Sequence, residues 1–141
     1  MAKTEKRKIG DIGEELAARF LKKRGYKIVE RNYLKKWGEI DIVALRQTQG
    51  KYGQDNVLHF IEVKSLTWRH VSNLATGSPS EYNPEDAVRA WKKNRMKRAI
   101  RTYLLDRKIS DDIEFQIDIM AVFLDFERKK ARIRIIENVN L

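Results

Sequence analysis

Apolar residues recur at spacings of three and four from Ile9 through Ile12 and Leu16 to Phe20, which predicts an amphipathic helix over about residues 9–24. Gly25 follows at the position preferred for a left-handed cap and should end it. Gly10, Gly13 and Ala17 lie beside the apolar stripe and give the helix a small-residue face able to approach a sheet closely, with Glu14 at its margin. The pattern then changes to strand type, over residues 26–31, 39–46 and 57–65. Between the last two, residues 47–56, rich in Gln and Gly, read as a mobile hairpin loop. Over residues 66–83 the pattern dissolves into a long polar loop that carries Trp68, Arg69 and His70.

Asn83, Pro84, Glu85 and Asp86 then supply a cap, a first-turn proline and acids at the positive dipole end of a second helix, running to about Arg107. Its apolar side runs from Val88 and Trp91 through Met96, Ala99, Ile100 and Tyr103 to Leu104; Lys92, Lys93, Arg95, Lys97, Arg98 and Arg101 are assigned to the other side. Residues 115–126 and 131–137 read as two strands joined by a hairpin at 127–130, and the near-continuous apolar run 117–124 predicts a central strand buried on both faces. The order α-β-β-β-α-β-β places the chain in the α/β class, a mixed sheet flanked by helices, with a single domain over residues 1–141.

Two of these strands hold charges where apolar residues are expected: Gly38, Glu39, Ile40, Asp41, Ile42, Val43 in one and Phe60, Ile61, Glu62, Val63, Lys64 in the other. A buried charge is costly unless it meets a partner. Side chains at i and i+2 share a strand face, so Glu62 points with Lys64 and Glu39 with Asp41; on neighbouring strands, carboxylates and an ammonium would converge. Two hard oxygen ligands for Mg²⁺ beside a fixed positive charge suit phosphodiester cleavage. Asp41 and Glu62 are the candidate ligands. Lys64 would orient or deprotonate the attacking water or neutralise charge on the phosphate, the alternative being an ion pair with Asp41. Glu39 reads as a supporting group. Asp118, inside an apolar strand, reads as structural, accepting hydrogen bonds or pairing with a basic group.

Composition narrows the class further. The 141 residues include 30 Lys and Arg against 20 Asp and Glu, a formal net charge of +10, which favours nucleic acid first and anionic membrane second. Lys93, Lys97 and Arg101 on the second helix, with Arg69 in the loop, are the candidate phosphate contacts; a solvated amphipathic face would give the same sequence. There is no cysteine, which excludes thiolate zinc sites and thiol catalysis, and the two histidines make a His-rich metal site unexpected. The basic N-terminus has no apolar run behind it and no stretch is long enough to span a bilayer, so a cytoplasmic protein without membrane partners or an organic cofactor is expected.

The ordered set Gly10, Gly13, Glu14, Ala17, Leu21, Gly25, Tyr26 and Asn32, then Gly38 to Asp41, then Phe60 to Lys64, then Lys97, Ala99 and Asp118 resembles the small bacterial YraN-type proteins. These are predicted members of the restriction-endonuclease-like, PD-(D/E)xK superfamily, similar in fold to archaeal Holliday junction resolvases. The resemblance implies Mg²⁺, or Mn²⁺, held by Asp41 and Glu62 with the Val63 carbonyl. It also makes Lys64 the catalytic lysine, Glu14 the helix acid of resolvase-like sites, and a homodimer acting on branched DNA an expectation. This chain departs from the family pattern at Leu66, where an arginine is usual, and at Gln116, where an Arg-Phe-Asp triplet often begins; both changes remove possible phosphate or carboxylate partners. Two other readings remain beside the endonuclease: a non-catalytic nucleic-acid-binding protein of the same fold, and a basic scaffold for a protein partner.

Overall fold

The computed structural model describes residues 4–50, 53–67 and 90–140. Helix α1 (Glu5–Lys23) starts before its apolar stripe because a cap is polar: the Thr4 hydroxyl accepts the Arg7 N–H at 3.1 Å. Its end is the one Gly25 predicts. Gly25, at φ +89°, donates to the Lys22 carbonyl at 3.1 Å, and Tyr26 donates to the Leu21 carbonyl at 3.0 Å, closing the last turn.

Strands β1 (Lys27–Lys35), β2 (Gly38–Gly50), β3 (Gly53–Thr67), β4 (Glu114–Asp125) and β5 (Lys130–Ile136), with helix α2 (Ala90–Asp106) before β4, give the expected element order. The five strands lie in sequence order in one sheet, antiparallel throughout except for the parallel β3–β4 pair. Alternate residues serve opposite faces. Ile42, Ala44, Ile61, Met120 and Val122 pack under Ala17, Ala18 and Leu21 of α1, while Ile40, Val43, Leu58 and Phe60 pack under Met96, Ala99, Ile100 and Tyr103 of α2. Residues 118–124 of β4 are all buried, as their apolar run predicts, although β4 is the fourth of the five strands and β3 holds the middle of the sheet.

One expectation is overturned. Residues 47–50 and 53–56 are not a loop: Thr48 pairs with Asp55 and Gln49 with Gln54, so β2 and β3 continue as a two-stranded ribbon. Main-chain pairing needs no apolar face, and a ribbon exposed on both sides tolerates Gln, Thr and Asp, which is why side-chain pattern alone misplaces it. The expected start of the second helix at Asn83, its Val88, and the loop with Trp68, Arg69 and His70 lie outside the described residues. No helix among the described residues is long and apolar enough to cross a membrane.

Candidate functional site

Asp41 stands where the sheet changes its habit. Pairing of β2 with β3 runs from Gly50↔Gly53 to Ile42↔Ile61, and pairing with β1 covers Ile42 and Ile40 but skips Asp41. Ile40 faces α2 whereas Ile42 faces α1, so simple alternation breaks across Asp41. Freed from the ladder, the Asp41 carboxylate takes the Val63 N–H at 2.8 Å through Oδ2 and also shares a hydrogen bond with the Glu62 carboxyl. The next side chain on β3, Glu62, is 3% exposed and makes a direct ion pair with Lys92 of α2.

Two carboxyls in one hydrogen bond cannot both ionise cheaply. Burial, then the adjacent Asp41 charge, pushes Glu62 up to about 8 in spite of Lys92. Asp41 is raised chiefly by burial, against the pull of the Val63 N–H and its other partners. Glu14 is pushed up to about 7, first by burial and second by Asp41, and its Oε1 is buried with no hydrogen-bond partner among the described residues. Burial alone would lower the Lys92 ammonium; Glu62, by charge and hydrogen bond, raises it above its ordinary value. The site therefore gathers three acids whose charged forms burial disfavours.

Glycines set this geometry. A Cβ on Gly13 would overlap the Ser65 side chain, so α1 lies against β3 at the residue before Glu14 and brings that acid to Asp41. A Cβ on Gly38 would overlap the Arg95 main-chain carbonyl, so α2 rests on the start of β2 one turn from Lys92. The Gly13–Glu14 and Gly38–Asp41 spacings in sequence are the signature of those two approaches.

Such a donor set fits a hard divalent cation. Asp41 and Glu62 would supply carboxylate oxygens, and the Glu14 Oε1 is an acceptor that nothing among the described residues satisfies. Among the described residues no three His, Asp or Glu side chains form a cage by themselves. Mg²⁺ does not require one, since it keeps waters and takes one or two carboxylates with substrate phosphate.

The profile of the Uncharacterised protein family UPF0102 matches residues 13–122, a span that takes in Glu14, Asp41, Glu62, Lys64, Lys92 and Asp118. The chain belongs to the UPF0102 family. A UPF0102 protein of Alkaliphilus oremlandii is 37% identical over 133 residues, covering 94% of this chain and 97% of its own. Another, of Caldicellulosiruptor saccharolyticus, is 32% identical over 133 residues with the same shares, and one of Clostridium perfringens is 34% identical over 133 residues, 89% of this chain and 94% of its own.

Of the residues singled out in this UPF0102 chain, Asp41, Glu62 and Val63 come together, with Glu14 near enough to feel the Asp41 charge, and Lys64 lies partly buried on the strand position that shares Glu62's face. Lys93, Lys97 and Arg101, four residues apart, form a stripe on α2 away from its buried line. Arg69 lies outside the described residues. Lys92 is the correction: assigned to the solvated side, it turns inward to Glu62. Its own spacing carries the signal, because Lys92, Met96, Ala99 and Tyr103 follow one another at helical intervals of four, three and four and the last three are buried.

His59 was overlooked too. Its Nδ1 lies 2.6 Å from Asp118 Oδ2, and both side chains are 3% exposed. Asp118 Oδ1 accepts from Gln116 Nε2 at 2.9 Å and from the Asn138 N–H at 3.0 Å, so the departure at Gln116 still furnishes a donor. Burial would raise the Asp118 carboxyl, but these donors, His59 first, hold it below its usual value. With Asp118 ionised, the Nδ1 of His59 carries the proton. Tyr26 meets the imidazole edge-on at 5.0 Å and accepts a hydrogen bond from Arg46 at 3.2 Å. This cluster is the structural role expected for Asp118, with His59 as its basic partner.

Proposed function

We propose that this protein is a metal-dependent DNA endonuclease that hydrolyses phosphodiesters. The observation that carries the reading is the Asp41–Glu62 pair: two hydrogen-bonded carboxyls on adjacent strands, held at raised pKa beside a buried-end lysine, on a chain of net charge +10. Acids are kept in such an arrangement at a stability cost, and perturbed acids in a cluster mark a working site.

Asp41 and Glu62, with the Val63 carbonyl and the Glu14 carboxyl at hand, would hold Mg²⁺ or Mn²⁺, which when bound supplies an activated water and neutralises phosphate charge. The protein's own part is positional. The Val63 N–H fixes Asp41 in one rotamer, the sheet fixes Glu62 beside it, and Lys64 brings a cation to the same strand face for the water or the scissile phosphate. Lys93, Lys97 and Arg101 would track the DNA backbone along α2. Resolving branched DNA with two-fold symmetry would engage a homodimer, each copy bringing one site.

The test is cleavage of labelled linear, flapped and four-way-junction DNA with Mg²⁺ or Mn²⁺. Asp41→Asn and Lys64→Ala are each expected to lower cleavage by about 100-fold or more. Cleavage that is untouched by both changes would sink the assignment, and salt-sensitive, metal-independent binding with no cutting would favour the non-catalytic nucleic-acid-binding reading.

A further inference from the structure

Lys92 neutralises a carboxylate that the reading above gives to a metal. Glu62 is 3% exposed, and whenever its carboxyl ionises at that depth the charge needs a cation beside it. The chain provides one by an unusual route. Lys92 projects from the sheet-facing side of α2, in line with buried Met96 and Ala99, and only its partial exposure connects it to solvent. α2 is held there at Gly38, where nothing larger than hydrogen fits under the Arg95 carbonyl, so the lysine is carried to Glu62 by the helix itself and not by a flexible loop.

A lysine and a divalent ion cannot both neutralise the same oxygen without repelling each other. We infer that Lys92 is a resident counter-ion for Glu62: it holds the site until a divalent cation displaces it, and once displaced it binds a phosphate of the incoming nucleic acid beside the metal. This inference rests on the metal-site reading. The geometry favours both halves of the exchange. The Lys92 side chain is 32% exposed, and its flexible four-carbon stem lets the charge move while its base stays fixed. Lys92 also lies just before the Lys93, Lys97 and Arg101 stripe, so the outward position extends a row of cations already on α2.

Two binding measurements test it, neither requiring turnover. In the first, Mn²⁺ is titrated calorimetrically at pH 8 into wild type, Lys92→Met, Lys92→Arg and Asp41→Asn. Loss of the competing charge should tighten Mn²⁺ binding by about tenfold in Lys92→Met, while Lys92→Arg stays near wild type. Equal or weaker binding by Lys92→Met, with wild-type binding still dependent on Asp41, overturns the inference and leaves the metal site standing. Absence of Asp41-dependent binding in both proteins overturns the metal site and the inference together. In the second, DNA binding is followed against salt with Ca²⁺ or with EDTA. With Ca²⁺ the logarithmic salt slope of wild type should exceed that of Lys92→Met by about 0.9, one phosphate contact, and with EDTA the two should agree. Equal slopes with Ca²⁺ overturn the phosphate half.

Discussion

Glu62 has an acid on one side and an ammonium on the other, and the balance decides how the protein answers pH. Free glutamate titrates near 4.5, whereas Glu14 is pushed up to about 7 and Glu62 to about 8. Between those limits the folded chain binds more protons than the unfolded one, so these groups add stability that is full below 4.5 and is lost as pH rises through about 8. Thermal midpoints in EDTA should therefore fall from pH 6 to pH 9, and Mn²⁺ should restore more at pH 9 than at pH 6. A midpoint that rises over this range would contradict the assignment. Asp118 works in the opposite sense: its lowered pKa adds stability that is lost only in acid, below the usual 3.8. Glu62→Gln mimics the protonated acid and frees Lys92 to turn outward. At pH 8.5 in EDTA it should raise the midpoint by about 3 °C, as roughly 1 kcal/mol does in a chain of this size, and abolish the gain from Mn²⁺. Asp118→Ala strips His59 and Gln116 of their buried acceptor and should cost about 3–5 kcal/mol in denaturant melts.

The elements were largely legible because their buried faces keep strict periods. The run 117–124 and the cap at Gly25 each translate into one physical requirement and formed as expected, whereas the stripe of Ile9, Ile12, Leu16 and Phe20 only borders the buried face of α1, which is Gly13, Ala17, Ala18 and Leu21, and leaves Ile12 41% exposed. What escaped was polar. The ribbon at 47–50 and 53–56 is held by main-chain bonds that leave no mark on side-chain pattern, and Lys92 is charged at a position on the helix that its spacing gives to the buried side. Asp41 and Glu62 were visible as charges in apolar strands; His59 was not, since one imidazole in a strand carries no sign of the acid it meets from a strand far along the chain. Close packing gives a test at this scale. Gly10 has open space around a Cβ, so Gly10→Ala should stabilise the chain by about 0.5–1 kcal/mol. Gly13→Ala should destabilise it by about 1–3 kcal/mol through overpacking on Ser65 and weaken Mn²⁺ binding as Glu14 moves with the helix. Equal effects at the two glycines would rule out close approach as the reason for Gly13.

Across the whole molecule, charge and topology divide the labour. The excess of cations gives long-range attraction for a polyanion, and replacing Lys93, Lys97 and Arg101 together with Ala should flatten the salt dependence of DNA binding by about 2–3 in slope if they touch phosphates. Unchanged slope would free that stripe from any part in docking. The acids, by contrast, sit where α1 closes on β3 at Gly13 and α2 brings Lys92 to Glu62.

The parallel β3–β4 pair has a consequence for the order of assembly. Asp41 and Glu62 belong to one hairpin and meet through local contacts, whereas Lys92 arrives only with the long crossover that brings α2 and then β4 onto the sheet. Local hairpins close in microseconds and non-local pairings much later. During folding the two carboxyls thus face each other before their ammonium is present, and a shared proton is what reconciles them in the interval. Refolding after a pH jump should accordingly run faster at pH 6 than at pH 9, and Glu62→Gln should erase the difference.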